Sequence, residues 1–152
     1  MIYALALLIG VIAGLRAMMA PAAISLATAY GELDLSGTAL AFMGWRFTPW
    51  IFTLLAFVEL VTDQLPSTPS RKVPIQFGAR ILLGGLSGAA IGASAGALVA
   101  GLILGIIGAV IGTYGGAAMR ARLAATFGRD RPAALIEDAI AIGGALLIVG
   151  CL

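Results

Sequence analysis

Between Arg80 and Arg120 the chain runs for 39 residues, Ile81 to Met119, without a charged side chain. Glycine recurs through this stretch at four-residue steps: Gly84, Gly88, Gly92 and Gly96, then Gly101 and Gly105, then Gly108, Gly112 and Gly116. As one helix the stretch would measure roughly 58 Å, nearly twice the hydrocarbon thickness of a bilayer. It is therefore predicted to form two helices joined by a short turn near Ala93 to Gly96. Residues four apart share a helix face, so these glycines clear a path for another backbone, and in lipid such close packing is a main source of helix association. The partner helix can belong to the same chain or to another protomer, and a homo-oligomer is expected.

With 61% hydrophobic residues, 11% charged residues and a mean hydropathy of +1.09, the 152-residue chain has too little polar surface to cover a soluble globule. The sequence predicts an all-α membrane protein, one integral domain over 1–152 embedded in the lipid bilayer. A net charge of +2 gives no reason to expect a nucleic-acid partner. Cys151 is the only cysteine and histidine is absent, so one chain builds neither a disulfide framework nor a Cys/His metal site, and no metal or cofactor is expected. Ile2 to Leu15 followed by Ala27-Thr28-Ala29 loosely resembles a signal peptide. No basic residue precedes it and Arg16 interrupts it, so the reading is a retained helix.

Five spans account for the apolar windows, at about 2–29, 47–63, 75–92, 97–119 and 133–151. Trp45 and Trp50 suit a membrane interface, Gln64 to Pro74 reads as an ordered proline-rich turn, and Pro74 suits the first position of a helix. Arg71, Lys72, Arg80, Arg120, Arg122, Arg129 and Arg131 cluster at the second and fourth connections, against Arg46 alone on the other side. With five spans the positive-inside rule places the N-terminus in the cytoplasm and Cys151 outside.

Two weak internal echoes are visible. Arg71-Lys72-Val73-Pro74 with Leu83-Gly84-Gly85-Leu86 echoes Arg131-Pro132 with Ile142-Gly143-Gly144-Ala145. Alternatively, Gly14 through Gly31 echoes Gly112 through Gly128, which would relate oppositely directed helices, a plan known in transporters.

Charges inside the spans are the candidate chemistry. Arg16 lies midway along the first span, where an arginine costs on the order of 2.5 kcal/mol or more unless it meets protein, water or a carboxylate. Pro21, five residues on, is expected to kink or break that helix. Glu59 and Asp63 share a face near the cytoplasmic end of the second span, and Arg80, Glu137 and Asp138 lie at similar depth in the third and fifth. These residues are predicted to meet in one cluster, with Asp63 and Arg120 at its mouth and Arg16 deeper. Such a cluster either lines an ion or solute pathway or fixes helix packing as an ion-pair network.

The segment Glu59-Leu60-Val61-Thr62-Asp63-Gln64-Leu65-Pro66, with Gly14-Leu15-Arg16, Arg80 and its following glycines, the basic end of the fourth span and Glu137-Asp138, resembles a bacterial membrane-protein family catalogued as domain of unknown function 4126. That pattern often has lysine after the aspartate, where this chain has Gln64. The resemblance implies a polytopic fold in a bacterial cytoplasmic (inner) membrane and brings no activity with it. The leading expectation is a small transporter or channel for an ion or small solute, with Arg16, Glu59, Asp63, Arg80, Glu137 and Asp138 along its path. The alternative is a noncatalytic scaffold that packs on a partner through its glycine faces. An enzyme is not expected, because no nucleophile–base pair, histidine cluster or phosphate loop is present.

Overall fold

The structure, a computed structural model, describes residues 1–65, 70 and 72–152. Pro66 and Arg71, which enter the family resemblance and the count of basic residues, lie outside the described residues, as do Ser67, Thr68 and Pro69 of the proline-rich turn. Among the described residues all regular structure is helical: α1 (Ile2–Leu15), α2 (Met19–Ala29), α3 (Thr48–Thr62), α4 (Pro74–Ser94), α5 (Leu98–Phe127) and α6 (Asp130–Val149). A short 3-10 turn at Ala41–Gly44 precedes α3.

Three of these helices, α4, α5 and α6, are long and apolar enough to cross a membrane. Each begins or ends where local chemistry dictates. Pro74 opens α4 at a position whose N–H would have no helical partner, and Asp130 opens α6 with a negative charge beside the positive end of the helix dipole. The α4–α5 turn needs a left-handed residue, supplied by Gly96 at φ +72°, and Ala97 N–H there donates to Gly92 O at 2.8 Å. Gly128, at φ +67°, ends α5 in the same way.

α5 is the axis on which the bundle is assembled. It runs antiparallel to α4, Gly88 facing Gly101 and Gly105, and Gly92 facing Ala97 and Gly101. On another side it takes α1, Gly10 meeting Gly105 and Gly14 meeting Ala109 to Thr113. A Cβ added at Gly14 would lie 2.5 Å from Thr113 N, and one at Gly84 would lie 2.7 Å from Ala109 Cβ. The partners of Gly84, Gly88, Gly92, Gly101, Gly105, Gly108 and Gly112 therefore lie within this chain.

The expected first span, 2–29, is not one helix. It breaks at Arg16, whose φ of −138° and ψ of 109° are extended, and the two pieces run in opposite directions. α1 is parallel to α5 and antiparallel to α6, with Ile12 against Gly144. α2 starts beside Glu59 at the end of α3 and finishes with Thr28 against Gly44 near its beginning, so it returns the way α1 came. The pair is a helical hairpin with a tip at Arg16–Met18. Pro21 falls in the first turn of α2, where its missing donor costs nothing; it marks a helix start rather than a kink. Because the reversal adds one pass, Met1 and Cys151 lie at the same end of the bundle, not at opposite ends as five spans required.

Two further expectations change. The second span is a 15-residue helix, about 22 Å long and short of a full crossing. The echo expected to relate two oppositely directed helices instead sets the broken segment Gly14–Gly31, the end of α1 and all of α2, against a continuous stretch of α5. α4 and α6 leave the same end of the bundle.

The connection 31–47 closes the end that holds both termini. Leu33, Leu35 and Met43 turn inward and are buried with Ile9, Ile24 and Ile91 in the core. Asp34 Oδ1 accepts from Ser36 N–H at 2.9 Å and Ser36 Oγ at 2.6 Å, and these bonds hold its carboxyl below the usual aspartate range. Trp45 and Trp50 remain exposed beside it.

Candidate functional site

The hairpin tip leaves two helix ends at one level inside the bundle, and each is met by a side chain of opposite polarity. The carbonyls of Gly14 and Leu15, at the negative end of α1, accept from Arg80 Nη1 of α4 at 2.8 and 2.9 Å. The amides of Ala17 and Met18, at the positive end of α2, donate to Glu59 Oε1 and Oε2 of α3, both at 2.8 Å. Arg80 Nη2 and Glu59 Oε1 lie 3.9 Å apart, so the two clasps are themselves an ion pair. A non-helical backbone buried inside a helical bundle is tolerated only when its polar groups are satisfied by protein or water. Here protein does it.

Arg16, at the tip, is fully buried and turns away from this pair. Its guanidinium pairs with Asp63 beyond the end of α3 and with Asp138 of α6, Nε donating to Asp138 Oδ1 at 2.6 Å. Gln64 Nε2 donates to Asp138 Oδ2 at 3.1 Å, so this neutral side chain joins the same carboxylate. Arg120 of α5 closes the layer, 3.6 Å from Asp63 and 3.8 Å from the fully buried Glu137, and bidentate to the exposed Asp130 at 2.6 and 2.9 Å.

All six residues singled out in the sequence, Arg16, Glu59, Asp63, Arg80, Glu137 and Asp138, are thus brought into one layer, with Arg120 at its rim. Among the described residues three guanidinium groups face four carboxylates there, with Asp130 a fifth outside. Removing one member of such a buried set leaves its partners uncompensated, which is more costly than the pair is stabilising. Sequence reasoning missed the backbone share of the site, the carbonyls of Gly14 and Leu15 and the amides of Ala17 and Met18. The usable signal was Pro21: a proline five residues past a buried arginine is equally the mark of a new helix start.

The clasp on α2 predicts a local effect. Replacing Glu59 with alanine removes both acceptors, and hydrogen exchange at the Ala17 and Met18 amides is expected to accelerate by about tenfold to a hundredfold, the equivalent of 1–3 kcal/mol. Glu59→Gln, which keeps one acceptor, is expected between wild type and alanine. Exchange unchanged in Glu59→Ala would show that the carboxylate does not hold the tip.

Comparisons with protein-family models, curated proteins and solved structures find no match for this chain.

Proposed function

We propose that the chain is a small integral membrane transporter or channel for an ion or small solute, with the charged layer lining its path. The observation that carries this reading is the broken backbone at Arg16–Met18, set among buried charges from α3, α4, α5 and α6. Arg80 lies six residues into α4, about 9 Å from its start, so the layer falls within the depth of a membrane-crossing helix. Helix interruptions facing ionisable groups at membrane depth are where transporters place their ion and substrate sites.

In this reading Lys72, Arg120, Arg122, Arg129 and Arg131 face the cytoplasm of a bacterial inner membrane, and both termini lie outside. The α1–α2 hairpin enters from outside and turns back at the charged layer, while α4, α5 and α6 cross fully. The glycines act as a zipper that binds α1 and α4 to α5. Because that face is used within the chain, it gives no support to a scaffold docking through it. Membership of the family that the Glu59–Pro66 segment resembles, and assembly of protomers into a homo-oligomer around a shared path, complete the proposal.

Purified protein in liposomes tests it with three probes: a proton-sensitive dye, a potassium gradient and a chloride gradient. Wild type is expected to dissipate at least one gradient, and Arg16→Ala or Glu59→Gln to abolish that flux while the variant still elutes as folded protein. Flux equal to wild type in both variants would remove these residues from any path.

A further inference from the structure

Four buried or partly buried hydroxyls lie on α2, α4 and α5, and they fall into two kinds. Thr28 Oγ1 donates to Ile24 O at 2.9 Å and Thr113 Oγ1 to Ala109 O at 2.7 Å, the usual way a helix absorbs a hydroxyl. Ser25 and Ser87 are fully buried and do neither; their hydroxyls make no hydrogen bond with protein. A hydroxyl left so in an apolar interior costs about 1–3 kcal/mol, and alanine would fit either position without that cost.

Their placement is coordinated. Met18 and Arg80 are both bound to Glu59, which sets the level of the hairpin tip. Ser25 follows Met18 by seven residues on α2, and Ser87 follows Arg80 by seven on α4, so each stands about 10 Å beyond the tip. α2 and α4 pack against each other and both run from the tip toward the end that holds the termini. The two hydroxyls therefore share a level between the charged layer and that end, where neighbouring Ile24, Ala90 and Ile91 are apolar.

We propose that Ser25 and Ser87 form a buried water site, the next station outward from the charged layer. Water supplies what each hydroxyl lacks, since one molecule makes two to four hydrogen bonds and can bridge both helices. The permeant such a station admits is water-sized, a proton carried along hydrogen-bonded water. Its place on a path rests on the transport reading; the water site itself does not.

Because Cys151 is the only cysteine, Cys151→Ser gives a thiol-free background. Ser25→Cys, Ser87→Cys and Ile24→Cys are introduced singly, checked for folding by elution, and exposed to millisecond X-ray pulses that turn water into hydroxyl radicals, with oxidative labelling of the introduced cysteine read by mass spectrometry. A radical born from a trapped water oxidises what that water touches, so Ser25→Cys and Ser87→Cys are expected to label about tenfold faster than the buried apolar control Ile24→Cys. Labelling of both at the control rate would overturn the site. Proton flux in liposomes, read on the same proteins, separates the two ideas. Fast labelling without flux in any variant or in wild type keeps the water site and removes proton transport. Flux with control-rate labelling keeps transport and removes the site.

Discussion

Valine in place of Gly105 is expected to leave no folded protein in detergent, whereas valine in place of Gly115, nearly three turns along the same helix, is expected to leave the fold intact. A Cβ on Gly105 would collide with the carbonyl oxygen of Gly84 and lie 3.0 Å from Gly88 Cα, while Gly115 has nothing within 4 Å. The obstruction at Gly105 is backbone, which cannot rotate aside as a side chain can. Overpacking that side chains can absorb costs about 1–3 kcal/mol, and here α4 must move away from α5 as a body. At Gly115 valine even improves helix propensity by a few tenths of a kcal/mol. Elution profile and thermal midpoint read the difference. A Gly105→Val protein that elutes and melts like wild type would show that α4 and α5 do not approach so closely.

The second large effect is expected at Arg16. Arg16→Met leaves Asp63 and Asp138, which now share one guanidinium, facing each other in a mostly buried layer; side-chain exposures are 12% and 13%. Breaking a buried pair from one side costs about 3–5 kcal/mol, a large fraction of an ordinary protein's stability. The triple variant Arg16→Met, Asp63→Asn, Asp138→Asn is expected to recover most of the loss, because the destabilisation comes from stranded charge rather than from lost packing. Arg16→Lys is expected to fall between, since an ammonium cannot serve two carboxylates with a planar fork. Denaturation midpoints of the four proteins decide it. A triple variant no more stable than Arg16→Met would mean that arginine's volume, not its charge, supports the tip.

The charged layer was legible in the sequence because position along a helix follows from counting. Glu59, Arg80, Glu137 and Asp138 each lie a few residues from the basic connections, and a rise of 1.5 Å per residue puts them at one level whatever the helix packing. The hairpin was not legible in the same way. Hydropathy carries no direction, so Ile2 to Ala29 scores alike whether it crosses once or turns back at Arg16. Charge asymmetry could not reveal the turn either: no basic residue precedes Arg16, and the second and fourth connections share a side with or without it. The α1 glycines, Gly10 and Gly14, held the missing information, since their spacing matches α5, but only contact shows which way two matching faces run.

A glycine every fourth residue has a further consequence for α4 and α5. Sliding one helix past the other by a turn, about 5.4 Å, presents glycine to glycine again, so steric fit alone leaves several registers nearly degenerate. The arginines remove that degeneracy. One turn of slippage would carry Arg80 off the Gly14 and Leu15 carbonyls and draw Arg120 away from Asp63 and Glu137, leaving charge stranded at each step. The polar layer is thus the detent of a smooth slide, and a protein that lost it would keep its helices while no longer knowing where along one another to stop.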